Sequence, residues 1–180
     1  MKAFWTIDDA PEKVHKEITD YLLEKKIPAV FFIIGQPAET NRESILYAIR
    51  NGFYVGNHTY THANLADLSL EEAIAEIEKC DAVVESLYKE AGVERKYKLF
   101  RFPYLSKGGE NKEALQKYLR DNGFTKIADA DVSGPMYEGM NAKAEIDVGC
   151  SFDIQEYLMH GDENKRIKWV LDRMEAGDEG

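Results

Sequence analysis

Two of the four histidines in this chain, His58 and His62, lie four residues apart within the segment 57–62. On one helical turn, positions i and i+4 share a face. Two neutral imidazoles on one face supply two ligands of a three-ligand metal site that keeps a coordination position open. The third ligand should be a carboxylate, and the first predicted strand ends in two candidates, Asp8 and Asp9. These side chains predict a site for a divalent metal ion.

The same residues predict a hydrolytic reaction. A zinc ion with such ligands lowers the pKa of a bound water to about 7. A second carboxylate beside the ligand can take that proton as a general base, so Asp8 and Asp9 could divide the two roles. Arg101 could pair with the base and orient it. Backbone N–H groups in the turn at Pro103 and Tyr104 could stabilise an oxyanion. The set predicts metal-assisted hydrolysis of an amide or ester.

Composition restricts the class of protein. The chain has 180 residues, of which 44% are hydrophobic and 31% charged, and this suits one soluble globular domain over residues 1–180. Its formal net charge of -10 at pH 7 argues against nucleic-acid partners and anionic membranes, because both select basic surfaces. No apolar run reaches the roughly 18 residues of a membrane span, so we expect no membrane insertion. No signal-peptide pattern precedes the first strand, and the compartment stays open.

Apolar strands alternate with amphipathic helices along the chain. Residues 2–7 predict a buried strand, and residues 27–35 form a near-continuous apolar run, as in parallel strands covered on both faces. Residues 53–56 predict a strand that leads into the histidine segment, and residues 97–104 predict another. This alternation predicts an α/β fold with a parallel sheet, either open or closed into a barrel.

In such folds, functional sites form at the carboxyl ends of the strands. The aspartates 8 and 9, the histidines 58 and 62, and the polar turn 101–104 each follow a different predicted strand. Three polar clusters that are far apart in sequence are therefore expected at one edge of the sheet.

Local patterns make further predictions about the helices. Thr40 and Ser69 each begin an S/T-x-x-E capping box at a helix N-terminus. His15 falls off the apolar face of the first helix, which predicts a solvated side chain. Cys80 lies close to the apolar stripe of the longest predicted helix, which predicts a buried free thiol.

Three segments resemble the first three motifs of the polysaccharide deacetylases, also called NodB-homology domains or family 4 carbohydrate esterases. They are Thr-Ile-Asp-Asp-Ala at residues 6–10, Asn-His-Thr-Tyr-Thr-His at residues 57–62, and Arg-Phe-Pro-Tyr at residues 101–104. The apolar strand at residues 27–35, which ends in Phe-Phe-Ile-Ile-Gly, also resembles that family. The resemblance runs from residue 3 to about residue 125, and the order of three separate motifs makes it specific.

The resemblance implies a distorted (β/α) barrel of about seven repeats. It also implies removal of N-acetyl or O-acetyl groups from an oligosaccharide or polysaccharide such as chitin oligomers or peptidoglycan. An extracellular or cell-envelope location would go with these substrates.

By motif position, the resemblance assigns a role to each residue. Asp8 would be the catalytic base, Arg101 would orient it, and the Tyr104 backbone would serve the oxyanion. The metal, usually zinc with cobalt or nickel tolerated, would be bound by Asp9, His58 and His62. Leu105 stands where the family commonly has a glycine, which predicts a groove shaped for a different substrate.

The last two family motifs are harder to place. The fourth, an acidic pair with an aromatic residue, matches residues 153–157. Asp153 would support the residues that bind the metal without binding the metal itself. Asp129 with Asp131 is the weaker match. The fifth, Leu-x-His with a general-acid histidine, matches His160 by its letters but without the helix that should separate the two motifs. The preferred hypothesis is that the chain stops before the fifth motif and the last strand, and His160 is the alternative acid.

Other interpretations stay open at this point. The two histidines could be a structural pair at a helix start, or part of a two-histidine, one-carboxylate iron oxygenase, although that class usually has a β-sandwich fold. The same scaffold could hydrolyse a non-sugar C–N amide such as a cyclic ureide or imide. The chain could also be a carbohydrate-binding member of the family with weak or no catalysis.

Overall fold

The computed structural model describes residues 5–125, together with Ile146, Asp162, residues 164–166, Lys168 and Asp172. In chain order, residues 5–125 form three strands and five helices. These are β1 (Trp5–Ala10), α1 (His15–Lys25), β2 (Ala29–Ile33), α2 (Gly35–Thr40), α3 (Arg42–Arg50), β3 (Tyr54–Asn57), α4 (Leu70–Ala91) and α5 (Lys112–Asp121). Short 3₁₀ turns lie at Leu65–Asp67, Pro103–Leu105 and Gly109–Asn111.

The strands form a parallel sheet in the order β1-β2-β3, so the predicted parallel α/β fold is confirmed. The predicted strand at residues 97–104 is shorter than expected, since it makes only isolated parallel bridges, from Phe100 to Asn57 and from Lys98 to Phe124. These bridges continue the sheet past β3 in the direction in which a barrel would grow. Closure of that barrel stays a prediction, because it depends on residues outside the described ones.

A bulge in β1 lies between Ile7 and Ala10, where the register with β2 shifts. Asp8 and Asp9 occupy this bulge, and Asp9 has a positive φ of 59°. In a regular strand, neighbouring side chains point to opposite faces. The extra residue of a bulge re-aims one of them. Both carboxylates can therefore contribute to one site at the end of β1.

Strand β2 is buried on both faces, as its apolar run predicted. On one face, Phe31, Ile33 and Val55 belong to the main core, which the helices complete. On the other face, Val30, Phe32 and Leu99 form a small cluster of their own. Gly56 of β3 is required there, because a Cβ at this position would lie 2.6 Å from Cε1 of Phe32.

Two of the local predictions are wrong. His15 is only 2% exposed, and its ring lies 4.5 Å from that of Phe31, because α1 begins at His15 and packs this end against the sheet. Burial lowers the pKa of His15 to about 4. Thr40 is the last residue of α2, and its hydroxyl donates to the carbonyl of Pro37. Helix α3 starts from Asn41 without a side-chain cap.

The two other local predictions are confirmed. Ser69 caps α4 in a capping box with Glu72, in which each side chain accepts the other residue's backbone N–H. Cys80 is a free, fully buried cysteine whose thiol donates to the carbonyl of Ile33. Burial raises the pKa of the Cys80 thiol to about 12, which makes it unreactive.

The longest described helix, α4, has 22 residues and many charged side chains. Across the described parts of the chain, no helix combines the length and the apolar character that crossing a membrane requires.

Candidate active site

The two histidines of the predicted site lie on a loop at the end of β3. We call residues 58–62 the histidine loop. It is not a helical turn, because Thr59 and His62 have positive φ angles of 67° and 62°. The prediction that a helical period brings the imidazoles together is therefore wrong, as is the alternative of a structural pair at a helix start. The rings of His58 and His62 nevertheless lie 4.9 Å apart, because the loop folds back on itself.

Asp9 joins these two histidines in a three-residue cluster. Its Oδ1 lies 3.1 Å from Nε2 of His62 and 3.4 Å from Nε2 of His58. One ligand atom from each of the three residues lies within 4.8 Å of the others. A tetrahedral metal with ligand bonds of about 2.1 Å separates its ligand atoms by roughly 3.4 Å. The cluster therefore has the size that a divalent metal ion requires.

The hydrogen bond of His58 fixes which of its nitrogens can bind a metal. Nδ1 lies 2.9 Å from the carbonyl oxygen of Arg101. A carbonyl can only accept, so Nδ1 carries the proton and donates it. In the neutral ring, the lone pair of Nε2 then faces the carboxylate of Asp9, and a cation must lie between these two acceptors. Either a second proton or a metal ion meets this need. Metal-binding histidines usually donate a hydrogen bond from their other ring nitrogen to a carbonyl or carboxylate, as Nδ1 of His58 does here.

The electrostatics favour the protonation states of metal ligands. The pKa of Asp9 is lowered, first by the hydrogen bond that a protonated His58 ring donates to it and then by the positive charge of the two rings in their protonated forms, which together outweigh its partial burial. The pKa of His62 is lowered because desolvation of its ring outweighs the attraction of Asp9. Asp9 is thus held ionised and His62 neutral, the forms that bind a metal.

Asp8 lies beside this cluster and is held by Arg101. Nη1 of Arg101 is 2.9 Å from one carboxylate oxygen of Asp8 and 3.2 Å from the other. The arginine is buried, and its guanidinium lies 4.9 Å from the centre of the Phe32 ring. Within the described chain, Nε and Nη2 of Arg101 have no hydrogen-bond partner. A charge-assisted pair of this kind holds Asp8 in one orientation.

The turn at Pro103 and Tyr104 lies next to the metal cluster, since the ring of Tyr104 is 4.6 Å from that of His62. Proline has no N–H group. Of the two predicted oxyanion donors, only the N–H of Tyr104 therefore exists. Tyr104 and Leu105 have consecutive positive φ angles of 57° and 53°, and their side chains are 67% and 53% exposed. The turn thus presents an aromatic and an aliphatic side chain at the entrance to the site.

The structure brings six of the predicted residues together at the carboxyl ends of the strands. They are Asp8, Asp9, His58, His62, Arg101 and Tyr104. Pro103, the seventh candidate that the structure describes, lies in the same turn as Tyr104 but has no N–H to donate. The last two candidates, Asp153 and His160, lie outside the described residues, as does the weaker pair at residues 129 and 131. Their roles stay predictions.

Comparison with known proteins identifies the family. The family model described as polysaccharide deacetylase matches residues 2–127, which is more than half of the chain and includes all three motifs of the site. The chain belongs to the polysaccharide deacetylase family.

Two relatives illustrate how the chain compares within the polysaccharide deacetylases. It is 28% identical over 173 residues to peptidoglycan-N-acetylglucosamine deacetylase of Bacillus cereus, covering 94% of this chain and 59% of that protein. It is 30% identical over 145 residues to peptidoglycan-N-acetylmuramic acid deacetylase PdaC of Bacillus subtilis, covering 79% of this chain and 28% of that protein. The chain therefore spans less than two thirds of the length of both relatives.

Solved structures share the fold. The structure of PdaC superposes with a TM-score of 0.60 at 22% identity, covering 96% of this chain and 69% of that chain. A family 4 carbohydrate esterase from Streptomyces lividans, in complex with acetate, gives a TM-score of 0.58 at 27% identity, covering 71% and 62%. The α/β fold of this chain is therefore the fold of its family.

The sequence patterns did not indicate the roles of two residues that shape the candidate site of this chain. The buried Asn57 side chain accepts from the N–H of Thr59 and donates to the carbonyl of Ile77 on α4. Glu76, also on α4, accepts from the N–H groups of two residues in the histidine loop. Asn57 lies inside the motif and could have been found as a residue that hydrogen-bonds its own turn. Glu76 is one of several acidic residues on α4, and nothing in its spacing distinguishes it.

Proposed function

We propose that this chain is a metal-dependent deacetylase that removes acetyl groups from an acetylated oligosaccharide or polysaccharide, such as chitin oligomers or peptidoglycan. One observation carries the proposal: the cluster of Asp9, His58 and His62 lies directly beside a carboxylate, Asp8, that a buried arginine orients. Family membership and the names of the relatives, which are peptidoglycan deacetylases, support the same substrate class.

The proposed metal ligands are Asp9, His58 and His62, and zinc is the expected ion, with cobalt or nickel as substitutes. When bound, such an ion polarises the acetyl carbonyl and makes a water more acidic. The ligands of this chain fit it because His58 already presents Nε2 and because Asp9 and His62 favour their ligand forms.

The remaining steps belong to residues of the chain. Asp8 accepts a proton from the water that attacks the acetyl carbon, and Arg101 keeps the acceptor oxygens of Asp8 in place. The N–H of Tyr104 donates to the oxyanion that forms on the carbonyl oxygen. The C–N bond then breaks, the acetyl group leaves as acetate, and the sugar nitrogen takes a proton. His160 is the candidate for that acid.

Acetate release tests the proposal. The parent chain is incubated with acetylated chitooligosaccharide, or with peptidoglycan fragments, in the presence of zinc or cobalt. Asp8→Asn should lower kcat by about 10²-fold or more because the base is lost, while zinc still binds. Asp9→Asn should lose zinc affinity as well. Asp121→Asn, an exposed carboxylate on α5 that pairs with Lys117, is the matched control and should behave as the parent.

Three outcomes would contradict parts of the proposal. If the parent releases no acetate but binds zinc stoichiometrically, the domain is a binding module or acts on another amide, which assays with cyclic ureides and imides would distinguish. If the parent binds no metal, the assignment of Asp9, His58 and His62 is wrong. If Asp8→Asn keeps the parental kcat, Asp8 is not the base.

A further inference from the structure

We infer that Glu76 is a positioning residue that holds the histidine loop, residues 58–62, in its metal-binding conformation. The inference rests on the proposed function, since it concerns the same metal cluster. Glu76 lies on α4, outside the three motifs, and touches neither a ligand atom nor Asp8 in the described structure.

The histidine loop has a conformation that its own sequence does not favour. Thr59 and His62 have positive φ angles of 67° and 62°. Threonine is β-branched, and neither residue is a glycine, so both conformations are strained. Strained backbone persists only where surrounding contacts hold it. The contacts to the loop therefore decide where the imidazole of His62 lies.

The first half of the histidine loop is held by α2 and by Asn57. The N–H groups of Gly35 and Gln36 donate to the carbonyls of Thr59 and Tyr60, at 3.0 and 2.8 Å. The side chain of Asn57 accepts from the N–H of Thr59 at 2.9 Å. A Cβ on Gly35 would lie 2.8 Å from Cδ2 of Tyr60, so helix and loop approach closely here.

The second half of the histidine loop is held by Glu76. Its Oε2 accepts from the N–H of Tyr60 at 3.0 Å and from the N–H of Thr61 at 2.8 Å. Thr61 is the residue directly before His62. Two successive N–H groups that converge on one carboxylate oxygen form a concave anion site, and hydrogen bonds to an ionised acceptor are the stronger kind. Glu76 holds the backbone of this half, whereas Glu39 on α2 accepts only from the side-chain hydroxyl of Tyr60, at 2.8 Å.

The two histidines should respond differently to the loss of Glu76. His58 is buried, and its ring is fixed independently by the carbonyl of Arg101. His62 is half-buried and depends on the backbone that Glu76 binds. Removing the carboxylate should let His62 move away from Asp9 while His58 stays in place. Groups that orient metal ligands in this way typically change metal affinity by about 10–100-fold.

The experiment measures metal binding and needs no substrate. Zinc affinity is determined by competition with a chelator, and cobalt is used as a probe whose visible absorption reports ligand number and geometry. Glu76→Ala should weaken zinc binding about 10–100-fold and change the cobalt spectrum. Glu76→Gln keeps a carbonyl acceptor and should stay within a few-fold of the parent. Glu71→Ala, an exposed glutamate in the first turn of the same helix, is the matched control.

If Glu76→Ala is folded and shows the parental zinc affinity and cobalt spectrum, the inference is wrong. Where Glu76→Ala does not fold, Glu76→Asp replaces it, because the shorter side chain withdraws the acceptor but keeps the charge. Weak zinc binding by Glu76→Asp alongside parental binding by Glu76→Gln supports the inference, and parental binding by both overturns it. A parent that binds neither ion overturns the metal site itself, and the proposed function with it.

Discussion

The carbonyl oxygen of Arg101 lies 2.9 Å from Nδ1 of His58. The guanidinium of the same arginine lies 2.9 Å from the carboxylate of Asp8. One residue therefore orients a candidate metal ligand through its backbone and the candidate base through its side chain. These two functions can be separated by substitution, because a change of side chain leaves the carbonyl in place.

Arg101→Lys should lower kcat for acetate release by about 10²-fold while zinc affinity stays within a few-fold of the parent. Lysine keeps the positive charge but cannot reproduce the fixed planar donor that contacts both oxygens of Asp8. The measurement is kcat together with a zinc titration. Arg95→Lys is the matched control, since the side chain of Arg95 is only 5% exposed and also pairs with an aspartate, Asp81. A parallel loss of zinc affinity in Arg101→Lys would show that the backbone has moved.

Zinc should stabilise the fold against heat. A ligand that binds only the native state adds about 2.7 kcal/mol to the free energy of unfolding at a concentration of 100 times Kd. For a chain of this size, that corresponds to a rise in Tm of roughly 5–10 °C. Differential scanning calorimetry with and without chelator measures the shift. His62→Ala should abolish most of it, and a parental shift in that variant would remove His62 from the ligand set.

Stability should fall as the pH decreases from 7 to 5, in part because of His15. Its pKa is about 4 in the folded chain, against 6.5 for an ordinary histidine, because burial disfavours the charged ring. Below pH 6.5, His15 binds a proton in the unfolded state but not in the folded state. The contribution of His15 to the free energy of unfolding is therefore fully present above pH 6.5 and is lost as the pH falls towards 4. The loss between pH 7 and pH 5 is about 2 kcal/mol.

Urea unfolding of metal-free protein at both pH values tests this dependence. His15→Leu removes the titrating ring from the same buried position beside Phe31. All other groups titrate equally in both proteins, so the variant should lose about 2 kcal/mol less than the parent over this range. If the parent and His15→Leu lose equal free energy of unfolding over this range, His15 takes up its proton as readily in the folded state as in the unfolded state.

Leu105→Gly should stabilise the chain. Leu105 has a φ of 53°, which costs a non-glycine residue about 1–2 kcal/mol, and it is more than half exposed, so little buried area is lost. The greater conformational freedom of glycine in the unfolded state reduces this gain in the free energy of unfolding by about 0.5–1 kcal/mol. The expected net gain in the free energy of unfolding is about 0.5–1 kcal/mol, measured by urea denaturation.

Ser106→Gly is the control for Leu105→Gly. Ser106 has an ordinary φ of -85°. The substitution there should destabilise by about 0.5–1 kcal/mol because only the entropic cost remains. If both variants destabilise equally, the turn at Tyr104 and Leu105 is not strained.

Local patterns in the sequence were sufficient to predict the features that depend on residues close together in the chain. The apolar run of β2 predicted a strand buried on both faces, and Ser69 with Glu72 predicted a capping box. The alternation of strands and helices predicted the parallel sheet. Since polar side chains that follow parallel strands must meet at one edge, the order of the motifs also predicted that Asp8, His58 and Arg101 would come together.

How these residues meet depends on contacts that the sequence patterns did not predict. The bulge that holds both Asp8 and Asp9 lies where the pairing of β1 with β2 changes register, and α2 and α4 hydrogen-bond the backbone of the histidine loop just before His62. The burial of His15 likewise depends on how α1 packs against the sheet. Residue spacing describes interactions within one element, whereas these features come from contacts between elements distant in sequence. Residue types and motif order therefore predicted the members of the candidate site, and packing between elements determined their conformation.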